Sequence, residues 1–137
     1  MLPLRHARLW RVLSFLILAG VLLATLAPAH WFFDKSDDSL SWLPGADKWL
    51  HAITFAFLAV WFSGLFQKHR YWRILVALFL FGLFVEFCQL QVGYRSAELH
   101  DILANTAGII AGLAVAVAGL GGWAPRIEDW YINRSQQ

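Results

Sequence analysis

The chain has 137 residues, of which 59% are hydrophobic and 15% are charged, whereas a soluble domain usually carries about a quarter charged residues. The formal net charge of +2 is small and the basic residues are scattered, so nothing favours a nucleic-acid partner. The only cysteine, Cys88, cannot form an intrachain disulfide. The charged residues are confined to short segments between long apolar runs, which is the pattern that a lipid bilayer imposes.

Four apolar runs predict four membrane-spanning helices, at residues 9–27, 49–66, 74–90 and 102–120. Each run is close to the ~20 residues that a helix needs to cross the hydrocarbon core. Tryptophans stand at the ends of these runs, where an aromatic belt is expected: Trp10, Trp49, Trp72 and Trp123. The predicted fold class is therefore an all-α bundle of four transmembrane helices, forming one membrane domain over residues 1–137.

The basic residues predict how this bundle is oriented. Three of the eleven lie in the segments of one side: Lys35, Lys48 and Arg95. The other eight lie in the segments of the opposite side: Arg5, Arg8, Arg11, Lys68, Arg70, Arg73, Arg126 and Arg134. The positive-inside rule places the richer side in the cytoplasm. We therefore expect a multi-pass protein of a bacterial cytoplasmic (inner) membrane with both termini inside the cell.

The first span has an alternative interpretation as a cleaved signal peptide. A basic start, an apolar stretch and Ala27-Pro28-Ala29 resemble such a leader with a small-residue cleavage site. Cleavage would leave three spans and an external N-terminus. The proline and the aromatic residues at 31–33 fit the interfacial end of a retained helix equally well.

Small residues on the fourth span predict a close helix contact. Gly108 and Gly112 form a small-xxx-small pair, and Ala104 and Ala111 add to the same low-profile surface. Such faces let two helix backbones approach closely inside a membrane. We expect this contact within the four-helix unit rather than between two copies of the chain.

Polar side chains enter the predicted spans mainly at their external ends. They are Asp47, Lys48 and His51 on span two, Glu86 and Gln89 on span three, Asp101 and Asn105 on span four, and Arg95 in the connection between spans three and four. Spacings of three and four residues put the members of each pair on one helix face. Because an ionisable group inside a bilayer costs roughly 2.5 kcal/mol or more, such groups pair or line a wet cavity. The sequence therefore predicts a polar pocket that opens toward the outer leaflet.

The same residues carry a family resemblance. The series Asp47-Lys48-x-x-His51, Glu86-x-x-Gln89, Arg95 and Asp101-x-x-x-Asn105-x-x-Gly108 resembles the motifs of the VanZ-like membrane proteins. The resemblance covers roughly residues 40–112 and extends to the number and spacing of the spans. It implies a bacterial multi-pass membrane protein that acts at the cell envelope. Since the family takes its name from a teicoplanin-resistance determinant, it also implies a role of the glycopeptide-resistance type.

Two functional hypotheses follow for the pocket, and the sequence does not decide whether the protein is an enzyme. In the first, the pocket binds a membrane lipid or lipid-linked envelope precursor. Arg95 and Lys48 would then hold an anionic head group. The remaining contacts would come from Asp47, Gln89 and Asn105. In the second, His51 is a general acid or base that works with Glu86 and Asp101 on such a lipid.

Other interpretations remain open beside these two. The polar residues can be hydrogen-bonding links between helices, with Asp101 and Asp47 as helix caps. The protein is then an accessory subunit of an envelope complex with an unknown membrane-protein partner. His51, Glu86 and Asp101 offer a three-ligand metal set, but no compact metal motif such as His-Glu-x-x-His is present, so no metal and no cofactor are predicted. A transporter is disfavoured because the polar residues do not continue across the membrane.

Overall fold

The computed structural model describes residues 2–27, 46–92 and 99–135, and every regular element in these ranges is a helix. In chain order the elements are α1 (Ala7–Leu26), α2 (Ala46–Leu65), a 3₁₀ turn (Lys68–Arg70), α3 (Tyr71–Gln91), α4 (Leu99–Val115) with a π-helical turn (Ala116–Leu120), and α5 (Trp123–Ser135). Side chains at 46, 47, 132 and 135 are outside the description.

Four of these helices are long and apolar enough to cross a membrane, which confirms the predicted all-α, four-span fold class. The candidate spans are Ala7–Leu26, Lys48–Leu65, Lys68–Gln91 and Leu99–Leu120. The helices α1 to α4 begin two or three residues before the apolar runs identified in the sequence. The reason is that a helix keeps its backbone hydrogen bonds through polar flanking residues, so its first turn extends beyond its apolar part.

The closest helix contact lies between α2 and α4. A Cβ atom added to Gly108 would collide with the carbonyl oxygen of Ala52, and one added to Gly112 would collide with that of Ala56. Both glycines are therefore required for the observed approach of the two backbones. The expected packing of this small-residue face inside the four-helix unit is confirmed, although Ala111 itself is exposed.

A mostly apolar core fills the middle of the bundle. Its buried members are Phe55, Leu58, Ala59, Tyr71, Ile74, Leu78, Ile109 and Ala116. The helix α1 lies at the edge of the bundle, and Ser14 is its one buried residue. Large apolar side chains such as Phe15, Leu23 and Phe87 are more than half exposed on the outer surface of the bundle. Such a surface suits a protein that is surrounded by lipid hydrocarbon at the middle of the membrane.

Three tryptophans from different helices meet at the end of the bundle where α1 begins. The ring centroids of Trp61 and Trp123 are 5.2 Å apart, and Trp10 lies 5.4 Å from Trp123 and 5.9 Å from Trp61. Their indole N–H groups donate to Ser14 Oγ, the Val60 carbonyl and Glu128. Trp10 and Trp123 thus pack inside the protein, whereas Trp49 and Trp72 are exposed as an aromatic belt requires.

The helix α5 was not predicted from the sequence, and it joins the two ends of the chain. Glu128 on α5 is buried and accepts hydrogen bonds from the backbone N–H groups of Arg5 and His6 (2.9 and 3.0 Å) and from Trp10 Nε1 (2.8 Å). Its carboxylate therefore lies at the N-terminus of α1, where the helix dipole favours a negative charge. The N- and C-terminal segments lie at the same end of the bundle, while their placement on the cytoplasmic side stays a prediction.

Burial alone would raise the pKa of Glu128. The hydrogen bonds from Trp10, Arg5 and His6, together with the positive charge of a protonated His6, outweigh burial and hold the pKa of Glu128 below its ordinary value. Glu128 is thus a structural anion that fastens α5 to α1.

Candidate functional site

Three buried titratable side chains converge at the opposite end of the bundle, where α1 and α3 end and α2 and α4 begin. They are His51 of α2, Glu86 of α3 and Asp101 of α4, with 6%, 4% and 7% of their surfaces exposed. A ring nitrogen of His51, a carboxylate oxygen of Glu86 and one of Asp101 all lie within 4.8 Å of one another. Residues up to 50 positions apart in sequence thus share one small volume, which we call the polar cluster.

Asn105 fixes the orientation of His51 in this cluster. Its Oδ1 atom lies 3.1 Å from His51 Nδ1, and Asn105 itself is only 2% exposed. Because an amide oxygen can only accept, Nδ1 carries the proton in this hydrogen bond. In the neutral ring, Nε2 then keeps its lone pair and can act as a base or as a metal ligand.

The side-chain amide nitrogen of Asn105 is a second polar atom of interest in this cluster. Among the residues that the structure describes, none accepts a hydrogen bond from Asn105 Nδ2. Gly82 faces this atom, and a Cβ there would lie 3.3 Å from Nδ2. A buried donor without an acceptor costs about 1–3 kcal/mol, so this position favours an additional oxygen atom supplied from outside the described residues.

Gln89 has a contact that the sequence did not indicate. Its Nε2 donates to the carbonyl oxygen of Thr25 in the last turn of α1, at 3.1 Å, and the side chain is 2% exposed. The last carbonyl groups of a helix have no partners within the helix. Gln89 therefore ties the end of α1 to α3, which is a structural contact beside the polar cluster.

The remaining predicted site residues lie at the rim or outside the description. Lys48 is half-buried in the first turn of α2. Asp47 belongs to the same turn, but its side chain is outside the described atoms, and Arg95 lies outside the described residues altogether. Asp101 lies inside the first turn of α4, two residues after Leu99. It is thus part of the helix rather than the capping residue before it, although its carboxylate still favours the positive end of the helix dipole.

Below the polar cluster the described residues offer no continuous polar path through the bundle. Phe55, Leu58 and Ile109 are almost completely buried directly under it. Toward the other end, the buried hydroxyl groups of Ser14 and Ser63 donate to carbonyl oxygens in their own helices. The polar cluster thus lies at one end of the bundle and is bounded toward the middle by apolar side chains.

A separate apolar cavity of about 300 Å³ opens laterally in the other half of the bundle. It is lined by Leu18, Phe62, Phe66, Arg73, Ile74, Ala77, Leu78 and Phe81. Ala77 precedes Glu86 by nine residues on α3, which corresponds to about 14 Å along the helix axis. The cavity and the polar cluster are therefore two distinct features, since they have no lining residue in common.

A known protein family matches most of this chain. The profile of the VanZ/LLP1 family matches residues 6–120. This chain belongs to the VanZ/LLP1 family. The match includes all four spans of the VanZ/LLP1 protein and all residues of the polar cluster, and it ends before α5. No curated protein and no solved structure matches the chain significantly.

The sequence analysis did not identify Glu128 or the helix that carries it. Signals for this helix are present, because Gly121 and Gly122 end the preceding element and Pro125 lies in the first turn of α5, where proline is tolerated. Ala124 and Glu128 are four residues apart and are buried, and they are the buried ones among the side chains of α5 that the structure describes. This segment is short and polar, so a prediction of helices from long apolar runs does not include it.

Proposed function

We propose that this VanZ/LLP1 protein binds an amphiphilic, lipid-linked component of the bacterial cell envelope, with its head group at the polar cluster. The observation that carries this proposal is the convergence of His51, Glu86 and Asp101 within 4.8 Å at one end of a membrane bundle. Helix association in membranes needs only small residues and single hydrogen bonds. Gly108 and Gly112 already supply that close contact, so three titratable groups exceed what packing requires.

The position of the cluster supports an outer-leaflet site. The eight basic residues of the richer side belong to segments at the other end of the bundle, and the positive-inside rule places that end in the cytoplasm of a bacterial inner membrane. The polar cluster then faces the outer leaflet, on the side of the membrane where the cell envelope lies. The unused donor of Asn105 would bind a head-group oxygen, and Arg95 and Lys48 would neutralise a phosphate or carboxylate.

Mass spectrometry of the lipids that co-purify with the protein tests this proposal. Wild type, Glu86→Gln and Asp101→Asn are compared with Thr106→Val. Thr106 is a matched control because it lies next to Asn105, while its hydroxyl donates to Ile102 in its own helix (2.7 Å). We expect one lipid class to be enriched in wild type and in Thr106→Val, and to be lost in the two cluster variants at equal thermal stability. Equal lipid profiles in all four proteins would refute the proposal.

Chemistry on the bound lipid is a second candidate function. It is favoured by the hydrogen bond that fixes His51 through Nδ1 and leaves the Nε2 lone pair available as a base. The carboxyl groups of Glu86 and Asp101 lie close to the same ring. A catalyst loses turnover in His51→Ala while it still retains its lipid, whereas a binding protein loses more lipid in Arg95→Ala than in His51→Ala. Lipid composition of cells that express each variant separates these outcomes.

A role as an accessory subunit of an envelope complex has its own support. The contacts of Gln89 with Thr25 and of His51 with Asn105 link different helices, as structural hydrogen bonds would. In that case Glu86→Gln lowers thermal stability in detergent without a lipid phenotype, and the intact protein co-purifies with a membrane-protein partner.

A further inference from the structure

We infer that the polar cluster is a divalent metal site, with His51, Glu86 and Asp101 as ligands to a zinc-type ion. This inference deepens the proposed function, on which it rests, because the same cluster would bind the head group. The sequence offered no compact metal motif. The structure nevertheless shows a set of metal-ligand atoms, since three helices bring one nitrogen and two oxygen donors within 4.8 Å.

The donor set and the geometry suit such an ion. Zinc binds imidazole nitrogen and carboxylate oxygen at about 2.0–2.2 Å, which places tetrahedral ligands about 3.4 Å apart. The ligand atoms here therefore need to approach by about 1.4 Å at most, which small rotations about side-chain bonds can provide. Three protein ligands leave the fourth position open, as in catalytic rather than structural zinc sites.

Burial and charge also favour a cation at this position. The three ligand side chains are each less than 8% exposed. Two carboxylates at one buried point supply negative charge of the kind that divalent ions bind in proteins. A bound ion would also offer its open position to a phosphate or carboxylate oxygen of the head group, which joins the metal site to the amphiphile proposed above.

Asn105 supports the site from behind. Metal-binding histidines usually donate their second ring N–H to an oxygen acceptor, which fixes the tautomer and directs the other nitrogen to the metal. The hydrogen bond between His51 Nδ1 and Asn105 Oδ1, at 3.1 Å, has this form. Asn105 is therefore a positioning residue, and Asn105→Ala should weaken metal affinity by about 10- to 100-fold without removing the site.

The test uses the full chain in detergent, stripped with a chelator, reloaded with Zn²⁺ and passed through a desalting column before elemental analysis. Wild type should retain about one ion per chain. His51→Gln, Glu86→Gln and Asp101→Asn should bind at least about 100-fold more weakly. His100→Gln is the matched control, because His100 is exposed and directly precedes Asp101; it should bind like wild type.

Two further measurements keep the inference testable if a ligand variant fails to fold. Co²⁺ loaded into wild type in place of Zn²⁺ should give the visible absorption of a four-coordinate nitrogen–oxygen site. Zn²⁺ should also raise the thermal stability of wild type and His100→Gln. Absence of retained zinc in wild type, unchanged affinity in the ligand variants, or loss of binding in His100→Gln would each overturn the inference.

Failure of this inference is distinguishable from failure of the proposed function. Metal binding is measured in protein that has been stripped of lipid by detergent exchange, and lipid retention is measured in the protein as purified and again after chelator treatment. Lipid retention without metal binding refutes the metal site alone. Metal binding without any enriched lipid refutes the proposed ligand and leaves the metal site in place.

Discussion

The close approach of α2 and α4 predicts that Gly108→Ala damages the polar cluster from a position outside it. The added Cβ would collide with the carbonyl oxygen of Ala52, which belongs to the backbone and cannot rotate away. Contacts of this kind are essentially never shorter than 3.0 Å, so the two helices must separate locally by about 1 Å. His51 directly precedes Ala52, and Asn105 lies one turn before Gly108.

The magnitude follows from two contributions. Overpacking of a well-packed contact costs about 1–3 kcal/mol. A separation of about 1 Å also lengthens the 3.1 Å hydrogen bond between His51 and Asn105 beyond its useful range, and such bonds in membranes contribute about 0.6 kcal/mol on average. We therefore expect Gly108→Ala to lower the free energy of unfolding by about 2–4 kcal/mol.

The assay is denaturation of the purified protein in detergent micelles, compared with Gly20→Ala. Gly20 is the matched control because a Cβ at this position in α1 meets nothing within 4 Å. Gly20→Ala should be neutral or slightly stabilising, since alanine is the better helix former. If Gly108→Ala proves as stable as Gly20→Ala and keeps the same lipid and metal binding, the proposed dependence of the cluster on the α2–α4 contact is wrong.

Three further predictions follow from the other contacts. Folding lowers the pKa of Glu128, so the stabilising effect of its carboxylate is complete above a pH of about 4.5, its ordinary pKa. This effect is lost as the pH falls through the lower pKa of the folded state. In pH-dependent melting, the stability difference between wild type and Glu128→Gln should therefore shrink in that range. Gly64→Ala should displace the Trp123 indole, because this ring occupies the space of the added Cβ. A red shift of the tryptophan fluorescence emission would show that the ring has become exposed, whereas unchanged emission would contradict the packing. Gln89→Leu should remove the hydrogen bond to Thr25 and lower the free energy of unfolding by about 0.6 kcal/mol. Protease sensitivity after α1 should then rise without loss of zinc binding. A loss of zinc binding would place Gln89 in the cluster.

The four spans could be read from the sequence because a bilayer demands long apolar runs and leaves little room for exceptions. Spacing also predicted which polar residues share a helix face, such as Glu86 with Gln89. Spacing does not fix the rotation of one helix against another, so it could not show that His51, Glu86 and Asp101 reach within 4.8 Å while Gln89 turns toward α1.

Other features depend on contacts that have no sequence signature. The acceptor of Gln89 is a backbone carbonyl group, and any residue at position 25 offers one. Trp10 and Trp123 occur at the ends of apolar runs like any interfacial tryptophan, yet they pack against Trp61 because α5 folds back over the N-terminal segment. The amphipathic helix α5 is too short and too polar for a search that relies on apolar runs.

The contact of Glu128 with the start of α1 has a consequence for biosynthesis. The N–H groups of Arg5 and His6 enter the membrane interface with the first span, long before the ribosome reaches Glu128. Until α5 has been translated, water or lipid head groups must satisfy these donors and the Trp10 indole. The N-terminal span is therefore inserted first, but its hydrogen bonds to Glu128 form last. Premature termination before residue 128 would leave a four-span chain whose first helix is held mainly by its contacts with α2 and α3.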